Sequence, residues 1–179
     1  VGSEMCIRDS YSIIQMENLP THGNPGEPIL PFKPLKILIP LGETLENVKI
    51  EWGEKIALRG RYLIKPAQYP IPIIKKGSFK IVSPKKSIYL SSKPYPPKSF
   101  SSMSIQRLRG FVILPLNLYP VEYIPKEGII SYYKDATITI FTAPVRVHKG
   151  KNLFRGVSRD YSILKNIVDN PSLLKSYRR

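Results

Sequence analysis

The chain has 179 residues and carries 28 lysines and arginines against 13 aspartates and glutamates, a net charge of +15. That length suits one domain with an extension, and its supply of Ile, Leu, Val and Tyr excludes a disordered chain. Cys6 is the single cysteine, which excludes a disulfide framework, and no apolar run is long enough for a membrane helix.

Val1–Ser10 resembles a translated sequencing adapter and is set aside from fold reasoning, Cys6 with it. The native N-terminus and any signal peptide are then expected outside this sequence. Proline occurs 18 times, about twice ordinary usage. Proline stops helices and is confined to sheet edges, turns and bulges, so short strands with stiff connections are expected. Tyr11–Met16 reads as an edge strand. Thr21–Pro34 is a rigid extended segment whose Ile29, Leu30 and Phe32 look like packing residues between the prolines. Leu35–Ile39 and Val48–Trp52 are strands around a Leu41-Gly42 turn, and Glu54–Lys65 is a further strand broken near Gly60. Pro66–Pro72 is a polyproline-like crossing. Phe79–Val82 and Ile88–Leu90 are short strand candidates.

Pro94–Ser104 is a Pro/Ser-rich loop without apolar periodicity, and it leads to Arg107 and Arg109. Phe111–Leu118 is an apolar run of strand length. With Ile129–Tyr133 and Ala136–Thr142 it predicts a β-meander at the core of the domain. Pro125–Gly128 is a β-turn joining Val121–Ile124 to Ile129–Tyr133. In Ala136–Thr142, Ile138 and Ile140 face one side and Thr137, Thr139 and Phe141 the other. Val145–Lys151 is basic and polar, a hinge. Asp160–Val168 has helical spacing, and Asn170-Pro171 reads as an N-cap and first position of a short helix through Leu173 and Leu174. The expected fold is all-β: a β-sandwich-like domain of antiparallel strands over residues 11–144, then a linker and short helical segment over 145–179.

No acidic residue lies between Lys55 and Val121, an interval rich in lysine and arginine. Such a field attracts anionic partners. Tyr62, Tyr69, Tyr89, Tyr95 and Phe100 lie among the cations and could stack on bases. No zinc-finger spacing, helix-turn-helix or RNA-recognition signature accompanies them. A polyanion-binding module and a merely solvated basic surface both stay open. Enzyme chemistry has the weakest footing. His22 and His148, the only histidines, sit in polar contexts, and Glu43, Glu46, Glu51 and Glu54 flank a strand facing solvent. There is no phosphate loop and no serine elbow. No catalytic residue, no metal and no cofactor are expected.

Four segments carry a family resemblance. They are Gly26-Glu-Pro-Ile-Leu-Pro31, Pro66-Ala-Gln-Tyr-Pro70, Arg109-Gly-Phe running through to Tyr119-Pro-Val-Glu-Tyr-Ile-Pro125, and Gly156-Val-Ser-Arg-Asp-Tyr161 with Val168–Leu174. Together, in this order, they resemble the propeptide of gingipain-type cysteine peptidases. The resemblance implies a non-catalytic prodomain that assists folding of a secreted or cell-surface cysteine peptidase and keeps it latent by covering its active site. The partner is then the catalytic domain of the same precursor, whose Cys–His pair lies downstream, and the basic patch docks on it. The resemblance also implies that a loop arginine enters the peptidase's first specificity pocket. Arg107 and Arg109 are the candidates, since a planar guanidinium pairs bidentately with a carboxylate. Arg109-Gly110 reads equally as a plain strand start, with Gly110 supplying backbone freedom. Two other function classes stay open: a basic β-module binding nucleic acid or another polyanion, and a structural or adhesion sandwich domain of a surface protein.

Overall fold

The computed structural model describes residues 2–5, 11–70, 81–145 and 154–177. In chain order the strands are β1 Gly2–Met5, β2 Ser12–Gln15, β3 Thr21–His22, β4 Leu30–Pro31, β5 Lys33–Ile39, β6 Glu43–Trp52 and β7 Lys55–Ala57. A single-turn helix α1, Lys86–Tyr89, follows. Then come β8 Phe100–Ser102, β9 Gln106–Leu108, β10 Phe111–Leu118, β11 Val121–Ile124, β12 Ile129–Tyr133 and β13 Ala136–Pro144. Helix α2, Ser158–Lys165, and a 3-10 helix, Pro171–Tyr177, complete the described chain. The pairings are antiparallel wherever two named strands are registered, so the all-β expectation holds. The chain divides into two compact units.

The first unit comprises Val1–Lys33, Glu54–Ser99 and Tyr119–Lys134. Its sheet runs β11-β12-β7. The expected turn closes β11 onto β12: Gly128 has φ 69°, and its N–H donates to Ile124 O at 2.9 Å. Ile14, Leu30, Ile64, Val121, Tyr123 and Ile130 form the core. The strand expected over Glu54–Lys65 is realised only at Lys55–Ala57. Beyond it, buried tyrosines do much of what a ladder would. The Tyr123 hydroxyl donates to Tyr62 O at 3.0 Å and accepts from Ile64 N at 3.4 Å, and the Tyr89 hydroxyl donates to Ile64 O at 2.8 Å. A buried phenol needs a partner, and these irregular main-chain groups need one too. Tyr89 sits on α1, where a strand is expected over Ile88–Leu90. So short an apolar run fits either element, and here Leu90 N–H closes a turn on Lys86 O at 3.0 Å. Of Phe79–Val82, residues 79 and 80 lie outside the described residues, and 81 and 82 are not in a strand. The segment set aside at the N-terminus contributes β1, which pairs with β2, and residues 6–10 lie outside the described residues.

Glu27 ties three segments of this unit. It accepts hydrogen bonds from Asn24 and Tyr95, both at 2.9 Å, and from Lys85 at 2.7 Å. Around it Gly26 N–H donates to Ala67 O, Ala67 N–H to Glu27 O and Lys85 N–H to Gly26 O, each at 2.8 Å. Burial pushes the Glu27 carboxyl up, but the bonds from Lys85, Asn24 and Tyr95 and the Lys85 charge together hold it below its usual range.

The second unit comprises Pro34–Gly53, Phe100–Leu118 and Asp135–Arg179. At its centre β10 pairs with β5 and with β8 and β9. Successive residues alternate between faces. Phe111, Ile113 and Leu38 pack with Leu164, Val168, Leu174 and Tyr177 of the C-terminal segment. Leu114, Ile37 and Ile39 pack with Leu45, Val48 and Ile140 of the β6–β13 pair. Burial on both faces explains why Phe111–Leu118 reads as a continuous apolar run. The expected meander is not formed: β10, β12 and β13 fall in three different sheets, because β13 pairs with β6 rather than β12. The turn at Leu41-Gly42 exists, with Gly42 at φ 83°, but the strands it joins do not pair with each other. Part of the Pro94–Ser104 stretch is also a strand. Phe100–Ser102 pairs with Leu116–Leu118 through the main chain, which needs no apolar pattern. Met103 to Ile105 then oppose only Leu114 and Pro115. This is a bulge, and it accommodates a proline inside β10.

The C-terminal segment fastens onto β5. Lys36 N–H donates to Asp169 Oδ2 at 2.7 Å, and Asp169 N–H donates to Lys36 O at 3.0 Å. The short helix opens at Pro171 as expected, with the Asn170 carbonyl accepting from Leu173 N at 3.1 Å, but the Asn170 side chain does not cap it. Its Oδ1 accepts from Leu38 N at 2.7 Å and its Nδ2 donates to Leu38 O at 2.9 Å, so the side chain acts as a strand neighbour. The Tyr177 hydroxyl donates to Ile39 O at 2.6 Å and accepts from Val112 N at 3.1 Å, joining β5 to β10.

Two outcomes are expected. Tyr177→Phe leaves a buried carbonyl and a partly buried N–H without their partner and should lower stability by about 1–3 kcal/mol in urea unfolding at pH 7. Glu27 contributes stability above the ordinary carboxyl value of 4.5 that is lost as pH falls through its lower folded value. The urea midpoint should therefore drop on acidification below that value, and Glu27→Gln should flatten the drop.

Candidate functional site

The two arginines singled out by the sequence lie on one hairpin. Leu108 pairs with Phe111, Arg107 with Val112 and Gln106 with Ile113, which leaves Arg109-Gly110 as a two-residue turn. Both turn residues have positive φ, 53° and 88°. That is the primed turn whose twist matches the flanking strands, and glycine suits its second position. Arg107 is thus a strand residue and Arg109 a turn residue. Neither belongs to the Pro94–Ser104 stretch: Arg107 lies within β9 and Arg109 in the turn beyond it.

Their environments differ. Arg109 Nη1 donates to Asp160 Oδ1 in the first turn of α2. The Asp160 side chain is 7% exposed and that of Arg109 47%. A buried carboxylate needs a cation, and an arginine with positive φ is uncommon, so the pair both satisfies Asp160 and pins the turn. Phe111, the first strand residue after the turn, anchors the hairpin beside it. Its ring lies 4.8 Å from Tyr177, and edge-on to Phe154 and Tyr161 at 5.2 and 5.5 Å. Tyr161 in turn donates to Tyr177 O at 2.5 Å. Arg107 is exposed and, among the described residues, has no ion pair or hydrogen bond through its side chain.

Both arginines border a cleft of about 570 Å³, with Arg155, Val157, Arg159 and Asp160 on its other wall. The role of Asp160, and the convergence of Arg155 and Arg159, are not visible in the sequence, where 51 residues separate Asp160 from Arg109. The other residues considered do not join this site. The His22 ring stands edge-on to Phe32 at 5.9 Å, and His148 lies outside the described residues. Glu43 accepts from Thr142, Glu51 pairs with Lys49 at 2.8 Å, and Glu46 and Glu54 are exposed. Within the basic interval, Lys55 pairs with Glu122 at 2.5 Å and Lys85 with Glu27 at 2.7 Å, so part of its charge is neutralised by residues outside it.

The Propeptide_C25 family model matches residues 6–166. A structure concerning the zymogenic latency of gingipain K from Porphyromonas gingivalis is similar over 80% of this chain and 81% of its own, at 14% identity and a TM-score of 0.65. The complex of Porphyromonas gingivalis RgpB pro- and mature domains is similar over 96% of this chain and 86% of its own, at 16% identity and a TM-score of 0.68. No curated protein matches the sequence.

Breaking the turn's anchor should be measurable. Arg109→Ala leaves Asp160 buried and unpaired and should cost about 1–2 kcal/mol, less than a fully buried pair because the arginine is half exposed. A double-mutant cycle with Asp160→Asn should give a coupling energy above about 0.5 kcal/mol, and strict additivity would mean the pair is incidental.

Proposed function

The chain belongs to the Propeptide_C25 family, and from that premise we propose that it keeps a gingipain-like cysteine peptidase latent by covering its active site. The chain is a propeptide and not the peptidase. The family match over residues 6–166 carries the reading. It is supported by the two neighbours, one concerned with zymogenic latency and the other a complex of pro- and mature domains. Neither comparison points toward nucleic acid or adhesion. The partner is the catalytic domain of the same precursor, and the peptidase acts outside the cell or at its surface. Among the described residues no helix is long and apolar enough to cross a membrane.

For the arginine that enters the peptidase's first specificity pocket, we propose Arg107. It is exposed, has no ion pair among the described residues and sits one residue from the turn. Arg109 is committed to Asp160, and extracting it would leave a buried carboxylate unpaired. Arg109 therefore supports the hairpin that presents Arg107.

The test is inhibition of the catalytic domain by this chain supplied in trans. Arg107→Ala should weaken inhibition by about 2–4 kcal/mol, the loss of a buried hot spot. Lys98→Ala, a charge control, should cost less than about 1 kcal/mol. If the two variants inhibit alike, Arg107 does not fill the pocket. Hydrolysis of a broad fluorogenic peptide set by the chain itself would contradict its assignment as a propeptide.

A further inference from the structure

The cleft at the hairpin tip is more basic than its place in the fold requires. Arg107, Arg109, Arg155 and Arg159 border it, against one carboxylate, Asp160. That carboxylate is committed to Arg109. Among the described residues, Arg107, Arg155 and Arg159 have no ion pair. Converging like charges oppose folding. Arg159 adds to the cost, because it lies in the first turn of α2, where the helix dipole disfavours a cation. Fold stability thus accounts for Arg109 and leaves the other three unexplained.

An anionic ligand accounts for Arg155 and Arg159. The guanidinium fork matches an oxyanion bidentately, and a cleft concentrates the field of several such groups. The volume, about 570 Å³, exceeds what a single small oxyanion occupies, and the free guanidinium groups come from different elements along the cleft wall. Val157, 48% exposed, adds an apolar surface between Arg155 and Arg159. Carboxylates spaced along a peptide, with methylenes between them, fit such a lining better than a bare phosphate. We propose that this cleft docks an acidic peptide segment, with Arg155 and Arg159 as its principal arms and Arg107 at its rim. The segment belongs to the peptidase that the propeptide covers, and naming that owner rests on the latency reading above.

The test uses the whole chain and a fluorescent Glu-Asp-Glu-Asp tetrapeptide, capped at both ends, titrated in physiological salt. The double variant R155Q/R159Q should weaken binding about tenfold or more, the loss of two charge-assisted contacts. K93Q/K98Q removes the same charge elsewhere and should stay within about twofold. Equal weakening by the two variants would reduce the cleft to diffuse charge and overturn the proposal. Displacement of the tetrapeptide by inorganic phosphate or a DNA duplex at lower concentration than the peptide itself requires would overturn the peptide assignment. If R155Q/R159Q does not fold by near-ultraviolet circular dichroism, R155K/R159K keeps the charge without the forks and should weaken binding measurably, and unchanged binding would overturn the proposal. The same double variant, used as an inhibitor in trans, should also lose potency. A wild-type chain that binds the peptide through Arg155 and Arg159 yet fails to inhibit overturns the latency reading while the cleft stands. Retained inhibition by the double variant overturns only the assigned owner of the segment.

Discussion

One hydroxyl joins the two strands on which the second unit is built. Tyr177 donates to Ile39 O on β5 and accepts from Val112 N on β10, and its ring closes over Phe111. The groups it satisfies are a buried carbonyl and a partly buried N–H of the main chain, costly to leave unpaired. The residues just before it occupy the free edge of β5, using the side chains of Asp169 and Asn170 where a strand would use peptide groups. An exposed strand edge invites pairing with other chains, and here the segment covers it. The same segment supplies Leu164, Val168 and Leu174 to the core and Asp160 to Arg109. The hairpin that carries the candidate arginines is therefore held at its turn by an ion pair and beside the turn by aromatic contact.

What could be read from the sequence is what local patterns determine. Phe111–Leu118 was legible because both of its faces are buried and it is apolar apart from Asn117. The β11–β12 turn was legible because Gly128 meets a φ requirement of its own. Helix α2 was legible from its spacing. Pairing beyond that local hairpin was not, because it is decided by partners far along the chain. The Ile138/Ile140 face of β13 has the pattern of a strand but nothing in it selects β6 over β12. Phe100–Ser102 joins a sheet through its main chain alone and so carries no apolar signal. Asn170 shows the limit most clearly. The same amide can cap a helix or imitate a peptide group, and only the proximity of Leu38 decides.

The site was legible in part. The order of the four resembling segments pointed to the family, and the arginines were marked by their place in one of them. Their roles were separated by a residue no pattern connects to them. Asp160 turns Arg109 into a structural residue and leaves Arg107 as the one its neighbours do not claim. Charge follows a similar division. Some cations of the acid-free interval are spent on internal pairs with Glu27, Glu122 and Asp160, and others, such as Arg107, keep their charge for an outside partner.

The central claim is that the C-terminal segment rigidly supports the β5–β10 sheet and its hairpin. Native-state hydrogen exchange at the Leu38 and Val112 amides tests it most directly, because both N–H groups donate to that segment. In the intact chain these amides should exchange only through the largest opening of the second unit, at a rate matching that of buried β10 neighbours such as Leu114. In a chain shortened to end before Phe154 they should exchange many-fold faster. Exchange in the intact chain as fast as in that shortened chain would contradict the claim.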